Sequence, residues 1–178
     1  SQKAEGDRFL GQLYLGDARQ QLSVISSSGF QADAIFLDPF SPPHCPQLWT
    51  VEFLGMVARC LRPTGRLATY SCAAAVRTAL LTAGLKIGAT PAFGRRSPGT
   101  VASHECSEEL PPLSQQEQEH LQTRARLPYR DPHLNATAED IIQRRQAEQA
   151  QSDLEPTSRW KARWTQTRQQ TENPPFHE

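Results

Sequence analysis

An acid, a proline and an aromatic, Asp38, Pro39 and Phe40, follow the apolar run from Ala34 to Leu37 in the stretch ADAIFLDPFSPP. A short continuous apolar run of this kind reads as a buried parallel strand, and ligands in open α/β sheets gather beyond the carboxyl ends of such strands. Pro39 fixes φ and removes a ladder donor, so the backbone must turn outward and present the Asp38 carboxylate and the Phe40 ring together. Asp38 is thereby a candidate for acid-base work. The same residues also read as an Asp-Pro turn closing a strand. A second acid stands at a strand end in Gly16, Asp17 and Ala18, after the partly alternating Phe9 to Leu15. Its structural reading is a helix N-cap for the residues from Arg19 onward. Arg95 and Arg96 lie on the loop AFGRRSP beyond strand ends. Two adjacent guanidiniums there can bind phosphates or remain a solvated pair.

Other chemistries find little support. Cys45, Cys60, Cys72 and Cys106 contain no C-x-x-C pair and no paired histidine spacing, which argues against a metal site and for a reduced, cytoplasmic protein. His44 beside Cys45 is explained by the turn between Pro42 and Pro46 rather than by nucleophilic catalysis. The 19 basic and 19 acidic residues cancel, so no global field directs the chain to nucleic acid or membrane. No run approaches the ~18 apolar residues of a membrane span, and the opening SQKAEGDRF lacks the apolar centre of a signal peptide.

The elements that must position these residues follow from patterning. Phe9 to Leu15 is a strand, Arg19 to Ser26 a short helix ended by Ser27, Ser28 and Gly29, and the Asp38 strand comes next. Thr50 can cap a helix with Glu52 in its first turn and Trp49 stapled onto Leu54, and Phe53, Leu54, Val57, Ala58 and Leu61 make one face. Arg62 to Gly65 turn the chain into a strand from Arg66 to Ser71, completing a β-α-β unit. A helix from Ala73 to Ala83 closes at Gly84, and alternation at Leu85, Ile87 and Ala89 gives a strand, with a last one at Gly99 to Ser103. Past Cys106 the composition becomes polar, which predicts a core drawn from the residues before Ala102 and an extension over 107–178. Ser114 with Glu117 and Thr137 mark two polar helices there, the second with an Asp140 to Arg144 ion pair. Trp160 and Trp164 share a helix face, read as docking against the body or as stacking on RNA.

Taken in order, Gly16 to Ala18, Asp38 to Phe40, the R-P-T-G turn and the F-G-R-R loop resemble a class I S-adenosylmethionine-dependent methyltransferase. More narrowly, FLDPFSPPHCPQLWT, LRPTGRLATYS, VRTALLTAGL and FGRR resemble the methyltransferase domain of the MnmC family over roughly Leu13 to Ala102. That family completes 5-methylaminomethyl-(2-thio)uridine at the tRNA wobble position. The resemblance implies an α/β fold, a Rossmann-like class I methyltransferase sheet over 1–106, with a polar helical C-terminal region over 107–178. It implies S-adenosylmethionine as cofactor and tRNA as partner, with no membrane and no metal. Asp38, Pro39 and Phe40 become the catalytic turn, Gly16, Asp17 and Ala18 the cofactor turn with Asp17 toward the adenine amino group, and Arg95 and Arg96 the contacts to tRNA.

Two departures carry consequences. Pro39 stands where the family often has glycine, which brings the turn nearer the D-P-P-Y type of amine methyltransferases. The family's first strand and its glycine-rich cofactor turn should precede Leu13, and no G-x-G occurs there. From the family strand order 3-2-1-4-5-7-6 the chain is expected to supply strands 3 to 7, leaving the Asp38 strand as an exposed edge with poor autonomous stability. Weak cofactor binding by these 178 residues is the corresponding expectation. A stand-alone enzyme is the preferred organisation; the rival reading is a non-catalytic module of this fold that binds RNA or a protein partner.

Overall fold

A computed structural model describes residues 2–6, 8–92, 94, 97–104 and 109–172. Arg95 and Arg96 lie outside the described residues. The chain opens with a hairpin of β1 (Gln2–Gly6) and β2 (Phe9–Leu13), paired antiparallel as a separate two-stranded sheet. It then forms α1 (Ala18–Ser27), β3 (Ala32–Leu37), a 3₁₀ turn at Pro46–Trp49, α2 (Val51–Arg59), β4 (Leu61–Thr69), α3 (Ala74–Thr82), β5 (Lys86–Ala89) and β6 (Thr100–Ser103). Beyond these come α4 (Gln115–His120), a 3₁₀ turn at Arg124–Arg126, α5 (Ala138–Gln151) and α6 (Thr157–Glu172).

The main sheet has order β3-β4-β6-β5. β3 runs parallel to β4, with Ile35 opposite Leu67 and Leu37 opposite Thr69, whereas β6 is antiparallel to both neighbours. This is the family order 4-5-7-6, and β3 is an edge, as the sequence implies. The Phe9 strand, family strand 3 by the resemblance, stands apart from this sheet. It pairs instead with its neighbour in sequence, the cheapest closure open to it, and Phe9, Leu10 and Leu13 stay exposed. Arg62 to Gly65, expected as a turn before β4, lie within it. They swing out as an irregularity, since Ala32 pairs with Leu61 but Ala34 with Arg66.

Periodicity explains the core. Phe53, Leu54 and Val57 of α2, capped by the Thr50 hydroxyl, pack with Val76, Ala79 and Leu80 of α3 over Leu67 and Ala102 of the sheet. Gly84 follows α3 at φ 85°, the left-handed conformation that glycine adopts without a Cβ penalty. The other face of β3 is open, and Phe36 is 85% exposed.

The expectation of a core confined to the residues before Ala102 is also corrected. Tyr129 and Ile141 are buried in the same cluster. Hydrogen bonding explains how a polar segment can dock. Arg77, 1% exposed, donates to Thr100 Oγ1, to the Gly99 carbonyl and to Glu117 of α4. Glu117 also completes the capping box with Ser114. Arg145 donates to the carbonyls of Leu127 and Ala125 and lies over the Tyr129 ring. The Asp140 to Arg144 pair does not form: Asp140 accepts from Thr137 Oγ1, and Arg144 donates to the Arg130 carbonyl. Trp160 stacks on His120 with ring centres 4.2 Å apart, and Trp164 Nε1 donates to Glu119, so both indoles dock on α4.

Candidate active site

The parallel register that sets Leu37 beside Thr69 also sets the residues that follow them side by side. Tyr70 therefore leaves β4 next to the Asp38 turn, and its hydroxyl donates to the Pro39 carbonyl at 2.9 Å. Trp49, with no exposed surface, donates from Nε1 to the Phe40 carbonyl at 2.8 Å. The two rings meet edge to face, 6.0 Å between centres. Trp49, in the same core cluster as Leu54, thus also clamps the Phe40 carbonyl, and its complete burial keeps its ring from stacking on a base.

Held by its carbonyls, the turn offers its side chains outward. Phe40 is 82% exposed, Asp38 is exposed, and among the described residues nothing hydrogen-bonds the Asp38 carboxylate. Such an acid is free to accept a proton or a hydrogen bond from a ligand. Next along the chain, Ser41 Oγ lies 2.8 Å from His44 Nδ1, which accounts for that histidine within the turn. Cys45, Cys60 and Cys72 are free thiols, and among the described residues no cluster of His, Cys, Asp and Glu is arranged to hold a metal.

The second turn is built by Gly16, whose φ of 129° suits glycine alone. Asp17 caps α1 by accepting from the Arg19 amide, and both its oxygens accept from the Arg19 guanidinium. The Arg19 hydrogen bonds hold its carboxyl below the usual carboxylate range. Gly16 and Ala18 line a cavity of about 350 Å³ whose other wall is Ile35 and Leu37 of β3, with Tyr14 and Leu22. Its walls are apolar, and the volume is many times the roughly 30 Å³ share of a water. Such a surface can take a flat apolar group. Asp17, 36% exposed, stands at the end of the turn with its charge fixed by Arg19.

One segment far along the chain braces the Gly16 turn and the start of α2. Arg19 Nη1 donates to Asp131, itself buried, and to the Ala136 carbonyl. The Val51 amide, at the start of α2, donates to the Tyr129 carbonyl, and Glu52 accepts from Arg130 and from the Asp131 amide. Nothing in the sequence pattern marks Arg19 or the segment 129–131 as part of a site, and Tyr70 is marked only as a strand-end residue able to line a pocket or pack in the core. The tyrosine at a strand end was the only signal available.

An open α/β sheet with an acidic turn beyond the end of β3 is a frame on which many cofactor-dependent enzymes are built. A family model described as S-adenosyl-L-methionine-dependent methyltransferase matches residues 2–105, and the chain belongs to that family. It is 46% identical over 91 residues to the tRNA 5-methylaminomethyl-2-thiouridine biosynthesis bifunctional protein MnmC of Paracidovorax citrulli, a match covering 49% of this chain and 13% of that protein. The protein of the same name from Ralstonia nicotianae is 43% identical over 91 residues, covering 51% and 13%. The crystal structure of MNMC2 from Aquifex aeolicus matches with a TM-score of 0.77 and 33% identity, over 85% of this chain and 48% of that one. The chain thus spans a small part of the curated relatives it matches. The structural match is longer than residues 2–105 and takes in part of the polar region.

Proposed function

We propose that the chain transfers a methyl group from S-adenosylmethionine to the aminomethyl nitrogen of a wobble 5-aminomethyluridine, with or without 2-thiolation, in cytoplasmic tRNA. The observation that carries this reading is the Asp38 turn, with its main chain held and its carboxylate and aromatic ring turned outward at the sheet end. The names of the similar proteins support the substrate class.

When bound, the cofactor supplies a sulfonium methyl that an amine lone pair can take as the carbon–sulfur bond breaks. An alkylamine resembles the lysine ammonium, with a pKa of roughly 10, so it must lose a proton before its lone pair is available. Asp38 accepts the amine's hydrogen bond and favours departure of that proton, and Phe40 stacks on the uracil ring. Gly16, Ala18 and Leu37 hold the adenine, with Asp17 toward its amino group. Arg95 and Arg96 remain proposed contacts to tRNA phosphates.

The test is methylation of tRNA carrying 5-aminomethyluridine by the whole chain, using labelled S-adenosylmethionine at millimolar concentration. Label is expected at the wobble nucleoside. Label elsewhere would overturn the assigned acceptor, and no transfer would leave the non-catalytic module as the better reading.

A further inference from the structure

We infer that Tyr70 is a positioning residue for methyl transfer, acting through the Pro39 carbonyl to fix the direction of the Asp38 carboxylate. This rests on the reading of the Asp38 turn given above. Because no described residue hydrogen-bonds the Asp38 side chain, the main chain of residues 38–40 sets where its Cα–Cβ bond points and so which rotamers bring the carboxylate to a ligand. Pro39 restricts one dihedral angle of that segment. The others are held by two hydrogen bonds, from Tyr70 Oη to the Pro39 carbonyl and from Trp49 Nε1 to the Phe40 carbonyl.

The two donors differ in what they contribute. Trp49 belongs to the core, with no exposed surface, and the fold needs its ring. Tyr70 is half-buried at the end of β4, its ring edge to face with Trp49. A phenylalanine would keep that ring contact and lose only the hydroxyl. The net worth of one neutral hydrogen bond to stability is small, whereas a small misplacement of a reacting group is amplified in rate. The hydroxyl therefore matters more to the reaction than to the fold.

Tyr70→Phe in the whole chain tests this. In single-turnover methylation of tRNA at saturating cofactor, the rate constant is expected to fall about tenfold, with cofactor KM within about twofold of wild type. Wild-type turnover, or a cofactor KM that rises as much as the rate falls, would overturn the proposal. Amide hydrogen exchange on both proteins without substrate gives an arm independent of activity. Faster exchange confined to the amides of His44 and Cys45, which donate to the Ser41 carbonyl, is expected, and unchanged exchange there, or loosening along all of β4, counts against the role. If wild-type protein transfers no methyl group, the functional reading fails, and the exchange arm still decides whether Tyr70 holds the turn.

Discussion

Arg19 donates from Nη1 to Asp131 Oδ2 at 2.9 Å while its Nε and Nη2 hold Asp17, so one guanidinium joins the Gly16 turn to a residue 112 positions later. Asp131 is 1% exposed and accepts also from the amides of Asn135 and Ala136. The charge of Arg19 is thus shared between a turn of the candidate site and the anchor of the polar region. Asp131→Ala is expected to destabilise the protein by about 2 kcal/mol or more, because it leaves buried donors without their acceptor. Urea unfolding measures this, and a change within experimental error would show that Asp17 alone satisfies Arg19.

Asp38→Asn should leave the fold intact, since the carboxylate is exposed and the amide has the same shape. What it loses is the negative charge that favours proton departure. A fall of roughly 10²- to 10⁴-fold in methylation is expected, with cofactor affinity within a few-fold. A folded variant with wild-type turnover would reduce Asp38 to a turn residue.

The Arg77 and Glu117 pair makes docking of α4 dependent on pH. Burial pushes Glu117 upward, but the Ser114 amide and the Arg77 guanidinium overcome this and hold it below its ordinary value. Its contribution is therefore complete above the unfolded carboxylate pKa of about 4.3 and is lost as pH falls through the lower folded value. Glu117→Gln should remove that acid-side loss and lower stability at neutral pH by about 2 kcal/mol, since Arg77 stays buried without its counter-charge. Thermal melts across the acid range compare the two proteins.

His120 responds in the same sense at milder pH. Burial first, then the Arg77 and Lys161 charges, keep its imidazole below the ordinary histidine value. The neutral ring that stacks on Trp160 is favoured above about pH 6.5, and its contribution is lost as pH falls through the lower folded value. Tryptophan emission should change over that interval, and His120→Gln should flatten the titration. An identical curve in the variant would place the change elsewhere.

Phe36 stands 85% exposed on the open edge strand. A lysine there would discourage pairing of that edge with another chain without disturbing the core. Phe36→Lys is expected to lower self-association in sedimentation velocity while leaving the melting temperature within about a degree or two, as is usual for surface changes. Equal or greater association would show that another surface is responsible.

Local signals in the sequence were accurate where local physics decides. Thr50, Ser114 with Glu117, and Thr137 cap the helices they precede, and the spacing of Phe53, Leu54 and Val57 identifies the buried face of α2. The Asp38 turn was legible because a proline after a strand-end acid leaves few other backbones. What holds it was not, since Tyr70 and Trp49 reach it through contacts that no spacing rule encodes. β1 was missed because QKAEG has no apolar alternation, and Tyr129 and Ile141 because isolated apolar residues in polar sequence carry no period. The Asp140 to Arg144 expectation failed to a nearer competitor, as Thr137 already holds Asp140.

The brace at residues 129–131 also sets an order of assembly. The pairing of β3 with β4 and the packing of α2 against α3 join segments close along the chain, whereas the Arg19 to Asp131 bridge must close a loop of 112 residues. Long closures come late, after local contacts have formed. During synthesis, the Gly16 turn leaves the ribosome well before Asp131, the carboxylate partner of Arg19, is made. The residues that resemble a cofactor turn are thus completed only after Asp131 is made, although they precede it by more than a hundred positions.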